Sequence, residues 1–158
     1  MKFNKHALRS FLVKARTKTY AGGQGKVKPV LVGSDQLEYR ENKWFYRDIY
    51  YTGNGIFMGL EVVHFETKPV WSMCYYGNFK KMREEEVDRI LRKALLENGQ
   101  KTRLWFPVEW EFENYRYVCR PDFQGSIEEM AGTEKIFKDG REVYFLYYAG
   151  GSLLSSIQ

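Results

Sequence analysis

Residues 44–77 decide the fold of this chain, and they read WFYRDIYYTGNGIFMGLEVVHFETKPVWSMCYYG. Aromatic and β-branched side chains dominate the stretch, and these residue types favour strands. The sequence TGNG at 52–55 is typical of a turn, and Pro69 begins a third strand-like run. We therefore expect three antiparallel strands, at 44–51, 56–66 and 69–77.

These strands predict two surfaces, because successive side chains of a strand point to opposite faces. We assume a four-residue turn at 52–55 and a two-residue turn at 67–68. The mainly apolar surface is then the expected core face, covered by a helix, and it carries Phe45, Arg47, Ile49, Met58, Leu60, Val62, His64, Met73 and Tyr75. The other surface mixes aromatic, acidic and small side chains, and it carries Trp44, Tyr46, Asp48, Tyr50, Gly59, Glu61, Ser72, Cys74 and Tyr76.

The mixed surface is the candidate ligand site. Gly59 has no side chain, so it is expected to leave a hollow between Asp48 and Tyr76. A concave aromatic floor with a few polar groups is typical of small-molecule sites, and two carboxylates beside aromatic rings suit a cationic or hydroxyl-rich ligand. We predict a binding or sensing module whose ligand residues are Trp44, Tyr46, Asp48, Tyr50, Gly59, Glu61, Cys74 and Tyr76. The alternative is that the carboxylates only accept hydrogen bonds from tyrosines or a lysine.

An enzymatic alternative uses Asp48 and Glu61 as an acid/base pair, since two close carboxylates push their pKa values apart. This alternative requires both carboxylates to reach one solvent-filled cavity without being held by Arg or Lys. The sequence indicates no other catalytic residue, no metal site and no cofactor. Cys74 and Cys119 have no metal-ligand spacing, and the glycines at 22–25 lack the spacing of a phosphate loop.

The rest of the chain predicts an α+β fold. Two amphipathic helices are expected, at 5–18 after the capping residue Asn4 and at 83–98. Five further strands are expected at 37–40, 108–113, 115–120, 127–138 and 141–149, with a bulge or bend at Ala131-Gly132 and a hairpin turn at Asp139-Gly140. A length of 158 residues suits one domain. We therefore predict a single globular domain over 1–158, with a curved, mainly antiparallel sheet, two main helices packed on it, and a loose tail formed by Gly150-Gly151 and residues 152–158.

Charge and composition bear on partners and location. The net charge is +5, and residues 1–43 hold ten Lys or Arg against three acids. Lys5, Arg9 and Arg16 are expected to share one face of the first helix, which predicts at most weak, sequence-independent contact with nucleic acid. No apolar run has membrane-spanning length, and the N-terminus lacks a signal-peptide pattern. With only two cysteines, expected to be reduced core thiols, the sequence predicts a cytoplasmic protein.

Five segments carry a family resemblance: Tyr20–Gly23, Tyr46–Tyr50, Phe57–Val63, Lys68–Gly77 and Tyr147–Gly151. In these segments the chain resembles a microbial domain family of unknown function, whose members occur alone or behind a helix-turn-helix DNA-binding domain. The resemblance implies an effector or sensing module with a role in transcription regulation, and it supplies no catalytic residue. Family members often have Asn where this chain has Cys74, so an amide is missing from the predicted hollow.

Overall fold

The computed structural model describes residues 4–98, 106–122 and 126–154. In this part of the chain, eight strands form one open antiparallel sheet, in the order β1-β2-β3-β4-β8-β7-β6-β5. The strands are β1 (Asp35–Glu41), β2 (Trp44–Gly53), β3 (Ile56–Phe65), β4 (Lys68–Asn78), β5 (Val108–Phe112), β6 (Tyr115–Pro121), β7 (Glu129–Lys138) and β8 (Arg141–Ser152). Two four-stranded meanders therefore join where β4 pairs with β8. The predicted α+β class is confirmed.

Both predicted helices are present, as α1 (Lys5–Arg16) and α2 (Glu84–Asn98). The side chain of Asn4 caps α1, because its Oδ1 accepts a hydrogen bond from the Ala7 N–H at 2.8 Å. The chain continues from α1 into one π-helical segment, Thr17–Ala21. Each helix buries its apolar stripe, which comprises Leu8, Phe11, Leu12 and Ala15 in α1 and Val87, Ile90, Leu91, Ala94 and Leu95 in α2. No helix among the described residues is long and apolar enough to cross a membrane.

The turn between β2 and β3 has two residues, Asn54 and Gly55, rather than the predicted four. Both have positive φ, 53° and 69°, as a tight hairpin that matches the twist of its strands requires. Asp48 therefore lies opposite Glu61, and not opposite Gly59 as predicted. Because the pairing differs from the prediction by two residues, the side chains of β2 and β3 still group on the predicted faces.

The pairing of β3 with β4 differs from the prediction by one residue. Its turn lies at 66–67, where Glu66 has a φ of 58°, and the register is irregular between Val63 and His64. Glu61 therefore faces Met73 instead of Cys74. A one-residue slip moves every side chain of a strand to the other face. Met73 and Tyr75 join the mixed surface, whereas three predicted members leave it: Ser72, Cys74 and Tyr76.

The helices cover the mixed surface, so the predicted core face is wrong. Tyr46 is 1% exposed and Trp71 is fully buried on the covered side, whereas Met58 and Leu60 on the other side are 49% and 47% exposed. The apolar content of the outer face misled the prediction, because arginine side chains cover the Phe45 ring on that face. The guanidinium groups of Arg40 and Arg47 lie 3.7 and 5.0 Å from the centre of the Phe45 ring.

The hairpin of β7 and β8 turns at Asp139-Gly140 as predicted, but of the bulge or bend predicted at Ala131-Gly132, the bulge is absent. These two residues pair regularly with Ala149 and Tyr148, and the irregularity lies between Ile136 and Phe137. A glycine is needed at 132 for a different reason, because the Tyr148 ring lies over it.

The end of the chain also differs from the prediction. Strand β8 continues through Gly150 and Gly151 to Ser152, and the two glycines pair with both β4 and β7. The two glycines are therefore part of the sheet and not of a loose tail. Residues 155–158 of the predicted tail lie outside the described part of the chain.

Replacing Gly132 by Ala is expected to lower the free energy of unfolding by about 1–3 kcal/mol. The added Cβ would lie 2.5 Å from Tyr148 Oη and 2.6 Å from the Arg120 backbone oxygen. Gly53→Ala is the control, because a Cβ at that position meets no atom within 4 Å, and its effect is expected within about 0.5 kcal/mol. Urea unfolding measures both variants, and equal losses would contradict the close packing over Gly132.

Candidate functional site

A cavity of about 170 Å³ lies between the sheet and its two helices. Its floor is the inner face of β2, β3 and β4, and its far wall comes from β7 and β8. The end of α1, the π-helical segment and one side of α2 close it from above. Aromatic rings contribute much of its lining, namely Tyr20, Tyr46, Tyr50, Phe57, Tyr75, Phe79 and Tyr144.

Asp48 and Glu61 are direct cross-strand partners at the cavity floor, and they are only 6% and 4% exposed. Each carboxyl group accepts a hydrogen bond from another element of the fold. The Tyr75 hydroxyl donates to Asp48 Oδ1 at 2.7 Å, and Arg16 Nη2 donates to Glu61 Oε1 at 3.0 Å. Glu61 Oε2 is buried and has no hydrogen-bond partner in the structure. The pair is thus only partly satisfied by the protein.

Burial raises the pKa of Asp48 to about 8, and the neighbouring charge of Glu61 adds to the increase. Hydrogen bonding from Tyr75 and the charge of Arg16 oppose this shift without cancelling it. Asp48 therefore holds its proton to a much higher pH than an exposed carboxyl group does. Burial also raises the pKa of Tyr46 and that of Tyr75 well above the ordinary value, so both hydroxyls remain available as donors.

Two further clusters line the cavity, one half-exposed around Asp88 and one buried around Glu134. The Tyr20 hydroxyl donates to Asp88 Oδ1 at 2.8 Å, and Arg92 Nη2 donates to Asp88 Oδ2 at 3.3 Å. Glu134 is 3% exposed and accepts a hydrogen bond from the Tyr144 hydroxyl at 2.9 Å. The cavity is therefore acidic on several sides.

Four of the predicted ligand residues meet in this cavity: Tyr46, Asp48, Tyr50 and Glu61. Gly59 lies on the same face, but the predicted hollow above it is filled because the Tyr75 hydroxyl packs there. Trp44 lies away from the cavity and packs on Phe11, with ring centres 5.3 Å apart.

Cys74 and Tyr76 lie on the outer face of the sheet and do not reach the cavity. Their placement follows from the one-residue difference in the pairing of β4. Cys74 is an exposed free thiol, so the prediction of two core thiols holds only for the buried Cys119.

Sequence reasoning missed the partners that other elements bring to the pair. Arg16 is 45 positions from Glu61, and Tyr75 is 27 positions from Asp48. From the sequence, Arg16 was predicted only as a member of a basic face of the first helix. The alternation pattern of β4 contained Tyr75, but the assumed turn assigned it to the wrong surface.

The three residues predicted to share a basic face of α1 have different partners. Lys5 forms an ion pair with Glu128, and the Arg9 guanidinium lies 5.3 Å from the centre of the Phe106 ring. Arg16 instead turns inward to the cavity, where its side chain is 20% exposed. Among the described residues, no three His, Cys, Asp or Glu side chains are grouped so as to hold a metal ion.

The fold and the cavity define an α+β domain in which helices and an open antiparallel sheet line a polar-aromatic cavity. The chain belongs to the family described as Domain of unknown function (DUF5680), whose model matches residues 48–153. This match confirms the predicted membership of a family of unknown function, while the association with helix-turn-helix domains stays a prediction. The match includes Asp48, Glu61 and Tyr75, but Arg16 lies before it. No curated protein matches the chain.

Asp48→Asn is expected to change the pH dependence of stability. The folded state holds a proton on Asp48 that the unfolded state releases, because the pKa rises from 3.8 to about 8 on folding. Wild-type stability should therefore fall as pH increases through this window, by up to about 1.4 kcal/mol per pH unit. Asn keeps an acceptor for Tyr75 and cannot ionise, so the decline should be largely absent.

Urea unfolding at a series of pH values measures this effect. Asp35→Asn is the control, because the Asp35 carboxylate is 42% exposed and forms a surface ion pair with Lys26. That variant should keep the wild-type decline. An equal decline in Asp48→Asn and wild type would contradict the assignment of the proton to Asp48.

Proposed function

We propose that this domain is a small-molecule-binding module whose ligand occupies the cavity between the sheet and the helices. The observation that carries the proposal is Glu61 Oε2, a buried carboxylate oxygen without a hydrogen-bond partner at the cavity floor. A buried polar atom that lacks a partner costs about 1–3 kcal/mol. A ligand that donates a hydrogen bond to this oxygen would remove that cost.

The volume of the cavity sets the size of the ligand. A cavity of roughly 150 Å³ is large enough for benzene, and this cavity measures about 170 Å³. The part of the ligand that this cavity holds is thus a small ring or a short chain. The aromatic lining supplies apolar contact, while Asp48 and Glu61 supply orientation.

A regulatory role is consistent with the elements that surround the cavity. Residues from α1, the π-helical segment and α2 all line it, together with three strands of the first meander. A ligand that contacts these elements at once would stabilise the docking of both helices on the sheet. We propose that occupancy is sensed in this way, in agreement with the effector role that the family resemblance implies.

The enzymatic alternative does not meet its own condition. It required both carboxylates to be free of Arg and Lys, whereas Arg16 holds Glu61 Oε1 at 3.0 Å. Asp48 and Glu61 are therefore assigned to binding in this proposal.

Nucleic-acid contact remains a weaker proposal. Arg16 is directed into the cavity, and both Lys5 and Lys14 form ion pairs with acids of the same chain, Glu128 and Glu41. Any contact through α1 is expected to be independent of sequence, with dissociation constants on the order of 10⁻⁴ to 10⁻⁶ M at physiological salt. Fluorescence anisotropy with two unrelated duplexes measures it, and tight binding to only one of them would contradict this expectation.

A thermal-shift screen with small metabolites tests the binding proposal. A ligand present at a hundredfold its dissociation constant adds about 2.7 kcal/mol, which raises Tm by roughly 5–10 °C for a chain of this size. Val87→Phe should abolish the shift, because Val87 is buried at the cavity wall and the larger ring would fill the space. Leu96→Phe places the same ring on the same helix at a residue that is 54% exposed, and it should keep the shift.

Circular dichroism confirms that both variants are folded before they are compared. A screen without hits, or a ligand that stabilises Val87→Phe as much as the wild type, would contradict binding in this cavity.

A further inference from the structure

We infer that the ligand is an organic cation whose ammonium group binds between Asp48 and Glu61 and displaces a proton from Asp48. This inference rests on the proposed function, since it names the chemistry of the ligand for the same cavity. Three independent features of the lining favour a positive ligand over a neutral or negative one.

The first feature is the unpartnered oxygen of Glu61. Its residue is 4% exposed and its other oxygen is already bound by Arg16, so Oε2 is an acceptor fixed at the cavity floor. An ammonium group supplies both a donor and a positive charge at this position. Hydrogen bonds to charged groups are about twice as strong as those between neutral groups.

The second feature is the charge of the lining. Five carboxyl groups and two guanidinium groups line the cavity: Asp48, Glu61, Glu84, Asp88, Glu134, Arg16 and Arg92. Both guanidinium groups are already paired, Arg16 with Glu61 and Arg92 with Asp88. An anion would therefore meet an excess of carboxyl groups without a free cation in the lining, whereas a cation would reduce the imbalance.

The third feature is the density of aromatic rings around the carboxyl pair. Tyr46 and Tyr50 flank Asp48 on β2, and Tyr75 contacts it from β4. The faces of aromatic rings attract cations, and the attraction is stronger when the site is desolvated. The protein already uses this contact at the cavity wall, where the Arg92 guanidinium lies 5.2 Å from the centre of the Tyr20 ring.

The displaced proton follows from the groups that face Asp48. Asp48 faces Glu61 of β3 and accepts a hydrogen bond from Tyr75 of β4. Arg16 of α1 binds Glu61, and Tyr46 and Tyr50 are the neighbours of Asp48 on β2 itself. Across the cavity stand the remaining titratable groups: Tyr20, Glu84, Asp88, Arg92, Glu134 and Tyr144. Two carboxylates at this position need a second positive charge besides Arg16. When the ammonium group supplies it, the O–H bond of Asp48 breaks and the proton passes to the buffer.

Isothermal titration calorimetry with three probes of similar shape tests the inference: benzylamine, which is an ammonium ion at neutral pH, benzyl alcohol and benzoate. Benzylammonium is expected to bind about 10- to 100-fold more tightly than benzyl alcohol, and benzoate more weakly than both. Equal or tighter binding of the alcohol or of benzoate would overturn the inference that the ligand is a cation, but it would still support a small-molecule-binding module. Binding by none of the three would contradict the module as well.

Glu61→Gln should abolish the preference for the ammonium probe, because the amide keeps the shape and loses the charge. Glu66→Gln is the matched control, since Glu66 forms an exposed ion pair with Lys43 outside the cavity, and it should leave the preference unchanged. A preference that survives in Glu61→Gln would overturn the assignment of the cation to this pair.

Proton release provides a test that does not depend on the folding of Glu61→Gln. Titrations of the wild type in phosphate and in Tris, which differ in ionisation enthalpy, give the number of protons released. At about pH 7, benzylammonium should release close to one proton, and its affinity should rise by up to tenfold per pH unit below about pH 8. Asp48→Asn should release none. Tight binding without proton release by the wild type would overturn the displacement of the Asp48 proton.

Discussion

Two carboxyl groups, Asp48 and Glu61, face each other across neighbouring strands inside a layer that the helices bury. Two negative charges at this position would be expensive, because burial removes water and leaves the charges to repel each other. Three features lower this cost: a hydrogen bond from Tyr75, an ion pair with Arg16, and a raised pKa that lets Asp48 keep its proton. One oxygen of Glu61 still lacks a hydrogen-bond partner, and the proposed ligand would donate a hydrogen bond to it.

The surrounding elements can be understood from this constraint. Arg16 is the last residue of α1, where the helix passes into the π-helical segment Thr17–Ala21. Helices often change their winding in this way at functional sites. The π-helical segment brings Tyr20 to the same cavity, where it binds Asp88 of α2. One irregular turn of chain therefore helps to connect both helices to the polar floor of the sheet.

The sequence was informative where local periodicity decides the structure. The apolar stripes of both helices, the cap at Asn4 and the hairpin at Asp139-Gly140 were predicted, and all are observed. The grouping of Asp48 with Glu61 was also predicted, because an error of two residues in a strand pairing does not change the face of a side chain. The prediction for β4 failed because its error was one residue, which exchanged Tyr75 with Cys74 and Tyr76.

The choice of the buried face could not be made from apolar content. Met58 and Leu60 suggested a core, yet they lie on the outer face, while the inner face carries two carboxyl groups and several tyrosines. Polar side chains can be buried when other elements supply partners, and those partners come from positions far along the chain. Alternation in β2 and β3 contains no information about Arg16, so neither the ion pair nor the cavity could be derived from the strands alone.

The most direct test of the buried carboxylate pair is the titration of the Asp48 side-chain carboxyl group, followed by carbon-13 NMR of the ligand-free protein. This carbon is expected to titrate at a pH of about 8. Titration of Asp48 close to its ordinary pKa of 3.8 would show that the pair is hydrated or separated, and it would contradict the buried carboxylate pair on which the proposed site depends.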